Sequence, residues 1–159
     1  MQKRESILSL KKEALFGKIN NYQMNISIKT ILENANIIAI MGASNNKDKD
    51  SYKVMKYLQK NGYKILPINP KVDEKTILGE RVYKNLEDIE VNIDILNIFR
   101  PSSEVLEITK KIISKKVQTV WLQLDIICSD SQKLLEKTNI NFVQNRCTKI
   151  EHANLLNKN

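Results

Sequence analysis

The residues able to do chemistry in this chain stand in a few short groups. Gly42-Ala43-Ser44 follows an apolar run, Asn69-Pro70-Lys71 follows a second, and Phe99-Arg100 closes a third. Trp121-Leu122-Gln123 and Asn145-Arg146-Cys147 come later. A glycine turn between a buried strand and a helix start suits a phosphate, because unpaired N–H groups and the helix dipole both favour an anion. Lys71, Arg100 and Arg146 put cations in comparable places. A zinc set is excluded by one histidine and by the distance between Cys128 and Cys147, which leaves two free thiols. One nucleophilic arrangement is conceivable. Cys147 beside Arg146 would have its thiol made more acidic, with Glu151 and His152 close in sequence.

These groups must be held by elements, and the apolar pattern supplies them. Ile37 to Met41 is five apolar residues in a row, the mark of a strand covered on both faces in a parallel sheet. Gly42 lets the chain turn without a Cβ in the way. A helix is expected from Asp50 or Ser51, either of which can cap it, to Lys60, with Asn61-Gly62 ending it. Strands follow at 63–68 and 93–99, with a short edge strand around 81–83 between them. A helix over 102–116 shows Val105, Leu106, Thr109, Ile112 and Ile113 as its buried stripe. A strand at 117–122, a helix at 130–138 and a strand at 140–143 come next. Thr148 and Glu151 read as a capping box opening the last helix. Ile28, Ile31, Leu32 and Ala35 mark one more helix before the first strand. Strands and helices alternating in this way predict an α/β fold: a Rossmann-like open parallel sheet of about five to six strands, with helices on both faces.

Length and charge set the frame. The 159 residues suit one domain, read as 25–159, after an extension over 1–24 that is disordered or loosely helical. No apolar run approaches the roughly 18 residues of a membrane span, and the opening residues lack a signal-peptide pattern, so a cytoplasmic protein without a membrane partner is expected. The net charge of +8 comes from 26 lysines and arginines against 18 acidic residues. The lysines are scattered without aromatic interleaving, which argues against nucleic acid as partner.

In a parallel sheet all the strand C-termini lie along one rim, where open α/β folds bind ligands. The dinucleotide fingerprint G-x-G-x-x-G is absent. Where such folds place a carboxylate for a free ribose diol, this chain has Asn69 and Lys71. A cation there favours a ribose carrying a phosphate, as in coenzyme A or NADP.

The segments Ile40–Ser44, Ser51-Tyr52-Lys53-Val54, Gly62-Tyr63, Pro67–Lys71, Gly79–Tyr83, Phe99-Arg100, Val120–Leu124, Arg146-Cys147 and Lys149–His152 share an order and spacing. With them, residues 27–156 resemble the small single-domain CoA-binding proteins, a Rossmann-type family related to the CoA-binding domain of the succinyl-CoA synthetase α subunit. The chain departs from that pattern at Asp125, where a glycine is expected, and at Asn145, where an aspartate is expected. The resemblance implies a CoA or acyl-CoA ligand; weighed against an enzyme, a binding module without catalysis is the expectation, and no metal is expected. It places Gly42, Ala43 and Ser44 against the diphosphate through backbone N–H groups and Lys71 near the 3′-phosphate. Pro70 would shape the adenine pocket, with charge added by Lys53 or Arg100. Ser51, Tyr52, Asn69, Phe99, Gln123 and Arg146 complete the expected set. The alternatives are an NADP- or other nucleotide-binding protein, or a CoA-dependent enzyme using Cys147.

Overall fold

The computed structural model describes residues 9, 11–15 and 27–157. Most of the expected extension, 1–24, lies outside the described residues; of its described part, 9 and 11–15 are helical. A helix over 27–34 (α1) leads to β1 (Ile37–Met41), α2 (Asp50–Lys60) and β2 (Lys64–Ile68). A small hairpin, β3 (Thr76–Ile77) with β4 (Glu80–Arg81), precedes β5 (Ile93–Ile98), α3 (Ser102–Ile112) and β6 (Val117–Leu122). The chain ends in α4 (Ser129–Leu135), β7 (Asn141–Val143) and α5 (Thr148–Leu155).

The five longer strands make one parallel sheet in the order β2-β1-β5-β6-β7. This is the Rossmann-like architecture that the alternation of elements implies. The alternation of β1 decides which helices cover which face. Ile38 and Ile40 point into a core with Val54, Met55 and Leu58 of α2, Leu32 of α1 and Leu155 of α5. Ala39 points the other way, to Val105 and Ile112 of α3 and Leu135 of α4. Chain order reverses around β1: β2 lies on one side of it and β5 on the other. The ends of β1 and β5 therefore form the switch point of the sheet. Asp94 pins the opposite end, its Oδ2 accepting from the Asn36 and Ile37 amides at 2.8 Å each.

Four local expectations are corrected. The N-cap of α2 is Lys49, with no side-chain cap bond; Asp50 lies inside the first turn and Ser51 is buried beneath it. Thr148 and Glu151 form no capping box, because the Thr148 hydroxyl faces inward to Asn97 and Gln123 while Glu151 pairs with Arg146. The buried stripe of α3 runs through Val105, Thr109 and Ile112 with Ile108 partly covered, and Ile113 is exposed because the helix ends before it. The edge segment at 81–83 is the second arm of the β3–β4 hairpin, touching the main sheet through the Tyr83–Ile68 bridge.

Two features of this packing can be tested. Gly42 has φ +87°, and a Cβ there would fall inside the contact distance of the Phe99 carbonyl oxygen; Gly62, at φ +91°, faces open space. A left-handed conformation costs an L-residue about 1–2 kcal/mol. Gly62→Ala should lose about that much, and Gly42→Ala distinctly more. At about 2–4 °C per kcal/mol for a chain of this size, thermal melts resolve the two. Equal losses would mean that β1 and β5 do not close so tightly.

The second feature is His152, buried between Tyr57 and Tyr63 with both rings edge-on to it. The Tyr57 hydroxyl lies 3.0 Å from His152 Nδ1 and accepts from Asn157. Burial holds the His152 pKa below its ordinary value and raises that of Tyr57, and the phenol, which accepts from Asn157, has its own hydrogen to offer Nδ1. A histidine depressed in the folded state favours folding above its unfolded pKa of about 6.5, and that contribution is lost as pH falls through the folded value. The melting temperature should drop between pH 7.5 and 5, and His152→Phe should flatten that drop. An unchanged slope in the variant would remove His152 as the cause.

Candidate functional site

The C-terminal rim carries two cavities, one on each side of the switch point. The first, of about 210 Å³, is lined by Gly42, Asn69, Pro70, Lys71 and Arg100, by Lys84 and the 3₁₀ turn Leu86–Asp88 that follows it, through Leu86 and Glu87, and by Glu104, Ile108 and Lys111 of α3, among others. The second, of about 480 Å³, lies on the α2–α5 side and is lined by Lys53, Val54, Phe99, Arg100, Pro101, Gln123, Leu124, Cys147 and Ile150 among others. Arg100 belongs to both.

The turn after β1 is tightly closed. The Gly42 and Ala43 amides both donate to the Ile68 carbonyl at the end of β2, at 3.0 and 3.2 Å. Asn69 reinforces this, donating to the Ala43 carbonyl at 2.7 Å while its Oδ1 accepts from the Lys71 amide. Ser44 Oγ accepts from the Asn46 amide, and Asn46 Oδ1 from that of Asp48. The expectation that Gly42 and Ala43 meet a diphosphate through their N–H groups is therefore corrected, since both donors are taken. Among the described residues the amides of Ser44 and Asn45 have no protein acceptor. The first-turn amides of α2 are free, as at any helix start, and Lys53 is exposed beside them.

The first cavity is cationic. Lys71, Lys84, Arg100 and Lys111 face it against Glu87 and Glu104. Arg100 grips Glu104 through two bonds of 2.8 Å. That hydrogen bonding, with Lys71 adding a weaker pull, holds the Glu104 carboxyl below the usual range and raises the Arg100 pKa. Lys84 is tied to the Val72 carbonyl. Lys71 reaches the cavity without a hydrogen bond from its side chain to any described residue.

Of the thirteen residues expected at the site, Gly42, Asn69, Pro70, Lys71 and Arg100 line the first cavity, and Lys53, Phe99, Arg100 and Gln123 the second. Ala43 is buried in the turn between them, and Ser44 follows on its exposed side. Ser51 and Tyr52 are buried beneath α2 and line neither. Arg146 is elsewhere. Its guanidinium bonds Glu151 at 2.9 Å, its carbonyl accepts from Trp121, and it borders a different cavity beside α1 and β7. The nucleophilic arrangement is likewise not assembled: Glu151 is held by Arg146 and His152 by Tyr57, leaving Cys147 on the wall of the second cavity.

Sequence reasoning missed Lys84, Leu86, Glu87, Glu104, Ile108 and Lys111. Glu104, Ile108 and Lys111 stand at i, i+4 and i+7, so they share one helix face whose polar ends hide it from a search for apolar stripes. Among the described residues no cluster could hold a metal, and no helix is long and apolar enough to cross a membrane.

Known proteins are similar to this chain in sequence and in fold. A Bacillus subtilis protein, YneT, is 31% identical over 126 residues, covering 79% of this chain and 92% of its own. A solved structure from Thermus thermophilus is 30% identical with a TM-score of 0.79, covering 83% of this chain and 98% of that one. An ADP-forming acetate–CoA ligase of Methanocaldococcus jannaschii is 40% identical over 81 residues, which span only 11% of the ligase. The family model described as a CoA binding domain matches residues 36–153, a stretch that holds both rim cavities, and the chain therefore belongs to the CoA-binding domain family.

Proposed function

We propose that the protein binds coenzyme A or an acyl-CoA across the rim and does not transform it. The observation that carries this is the pair of unlike cavities meeting at Arg100: a cationic one beside Lys71, and a largely apolar one reaching Cys147. CoA has the matching asymmetry, a phosphorylated nucleotide at one end and a slender pantetheine arm at the other. The adenosine 3′-phosphate end would occupy the first cavity, with Pro70 against the adenine and Lys71 on the phosphate. The diphosphate would cross the turn, taking the open amides of Ser44 and Asn45 and the α2 N-terminus, with Lys53 as counter-charge. The arm would then descend past Phe99 into the second cavity. Absence of catalysis is supported by the separate engagements of Glu151 and His152 away from Cys147.

Lys71 gives the sharpest test. A charge-assisted contact to phosphate is worth about 1.5–3 kcal/mol, so Lys71→Ala should weaken CoA about ten- to a hundredfold. Dephospho-CoA, which lacks the 3′-phosphate, should bind parent and variant alike, and added salt should narrow the CoA difference by screening. Titration calorimetry of both ligands into both proteins gives the four values. Equal losses would put Lys71 elsewhere. If neither ligand binds the parent while NADP does, the second reading, a 2′-phosphate on Lys71, replaces this one.

A further inference from the structure

The second cavity says more than that a pantetheine arm could lie in it. Resting on the CoA reading above, we infer that the physiological ligand is a thioester of CoA with a short apolar acyl group, whose chain packs between α5 and the loop after β6. Three observations converge on it.

The first is an acceptor aimed into the cavity. Gln123 is only 4% exposed, yet it is one of the lining residues. Its Nε2 is spent inward, on Asn97 Oδ1 at 2.7 Å and Thr148 Oγ1 at 2.9 Å. Its Oε1 accepts from no described residue and is not among the fully occluded unpaired atoms. The amide is thus anchored at one end and presents its oxygen to whatever fills the cavity. An amide N–H of a pantetheine arm is a fitting donor, which would fix how deep the arm lies.

The second is what lies beyond that oxygen. Val54, Phe99, Pro101, Leu124, Ile126 and Ile150 make the walls apolar. Leu124 is 51% exposed and Ile150 48%, so this part of the surface is unusually apolar for a rim that is otherwise charged. At about 480 Å³ the space falls within the range of small-molecule pockets, roughly 300–1,000 Å³.

The third is that two of the cations nearby are engaged and Lys53, the remaining one, is the counter-charge to the diphosphate in the reading above, which disfavours an acidic acyl group. Arg100 is held by Glu104, the Lys149 ammonium lies over the Tyr57 ring at 5.7 Å, and Asp50 shares the wall with Lys53. A terminal carboxylate would meet Asp50 without a dedicated partner.

Calorimetry with CoA, butyryl-CoA, hexanoyl-CoA and succinyl-CoA on the full chain tests this, alongside Ile150→Asp. That position is half exposed in the first turn of α5, where an acid suits the helix and folding should survive. A buried methylene is worth about fourfold in affinity. Butyryl-CoA should therefore bind at least about tenfold tighter than CoA, hexanoyl-CoA no weaker than butyryl-CoA, and Ile150→Asp should shrink the butyryl-to-CoA ratio. Equal affinity for CoA and butyryl-CoA would overturn the inference while leaving the CoA reading intact, and would mean that the apolar rim is covered by something other than an acyl chain. Tighter binding of succinyl-CoA than butyryl-CoA would overturn it in favour of the cations. Binding of none of the four would overturn both readings together.

Discussion

The close approach of Gly42 to the Phe99 carbonyl is the constraint on which the rim depends. Where β1 and β5 end, the two chains come near enough that no side chain fits at position 42, and the Phe99 amide donates to the Met41 carbonyl at 2.8 Å. The Ile68 carbonyl then gathers the Gly42 and Ala43 amides, tying the end of β2 to the same knot. Three strand ends are thereby fixed together at the point where chain order reverses. The result is a low saddle between the two faces of the sheet, with a cavity on each side. Had any other residue stood at 42, the saddle would be blocked by its side chain or opened by strand separation.

The two sides are chemically unlike because different helices wall them. On one side α3 offers its Glu104, Ile108 and Lys111 face, and the chain after β2 adds Lys71 and Lys84. On the other, α2 and α5 contribute Val54 and Ile150, and the loop after β6 brings Leu124 and Ile126. That loop is held hard. Asp125 adopts φ +65° and Asn145 φ +55°, and the Asp125 amide donates to Asn145 Oδ1 at 2.8 Å. Left-handed backbone suits Asn and Asp better than most residues. So the replacement of the expected glycine by Asp125 leaves the turn in the conformation a glycine would take, at a modest conformational cost. Beneath it, the Asn97–Gln123–Thr148 triad links β5, the end of β6 and the start of α5 through buried hydrogen bonds. The three mutual bonds make the arrangement rigid and hold the Gln123 amide by its nitrogen, while its oxygen is left to the cavity.

Much of this was legible in the sequence, and the failures share one cause. The run Ile37–Met41 stopping at Gly42 announced both the buried strand and the turn, because burial on two faces and a positive φ each leave a local mark. The clustering of Asn69, Lys71 and Arg100 followed from parallel topology alone. What could not be read were side-chain choices made by distant residues. Thr148 looks like a cap, yet its hydroxyl is claimed by Asn97 and Gln123, 51 and 25 positions away. Arg146 stands at a strand end like Arg100, but Glu151 draws it to the other flank of α5. Gly42 and Ala43 have the amides of a phosphate turn, yet the curl of β2 brings Ile68 to them first. Lys84 and Lys111 reach the cavity by way of a hairpin and a helix face, neither of which carries a motif.

The most direct measurement of the central claim is a crystal structure of the full chain grown with coenzyme A. A ligand straddling the saddle is expected, with its 3′-phosphate within hydrogen-bond distance of Lys71 Nζ, its diphosphate over Ser44 and Asn45, and its arm running past Phe99 to Gln123. Coenzyme A lying wholly on one side of the sheet, or in the cavity beside Arg146, would contradict the account.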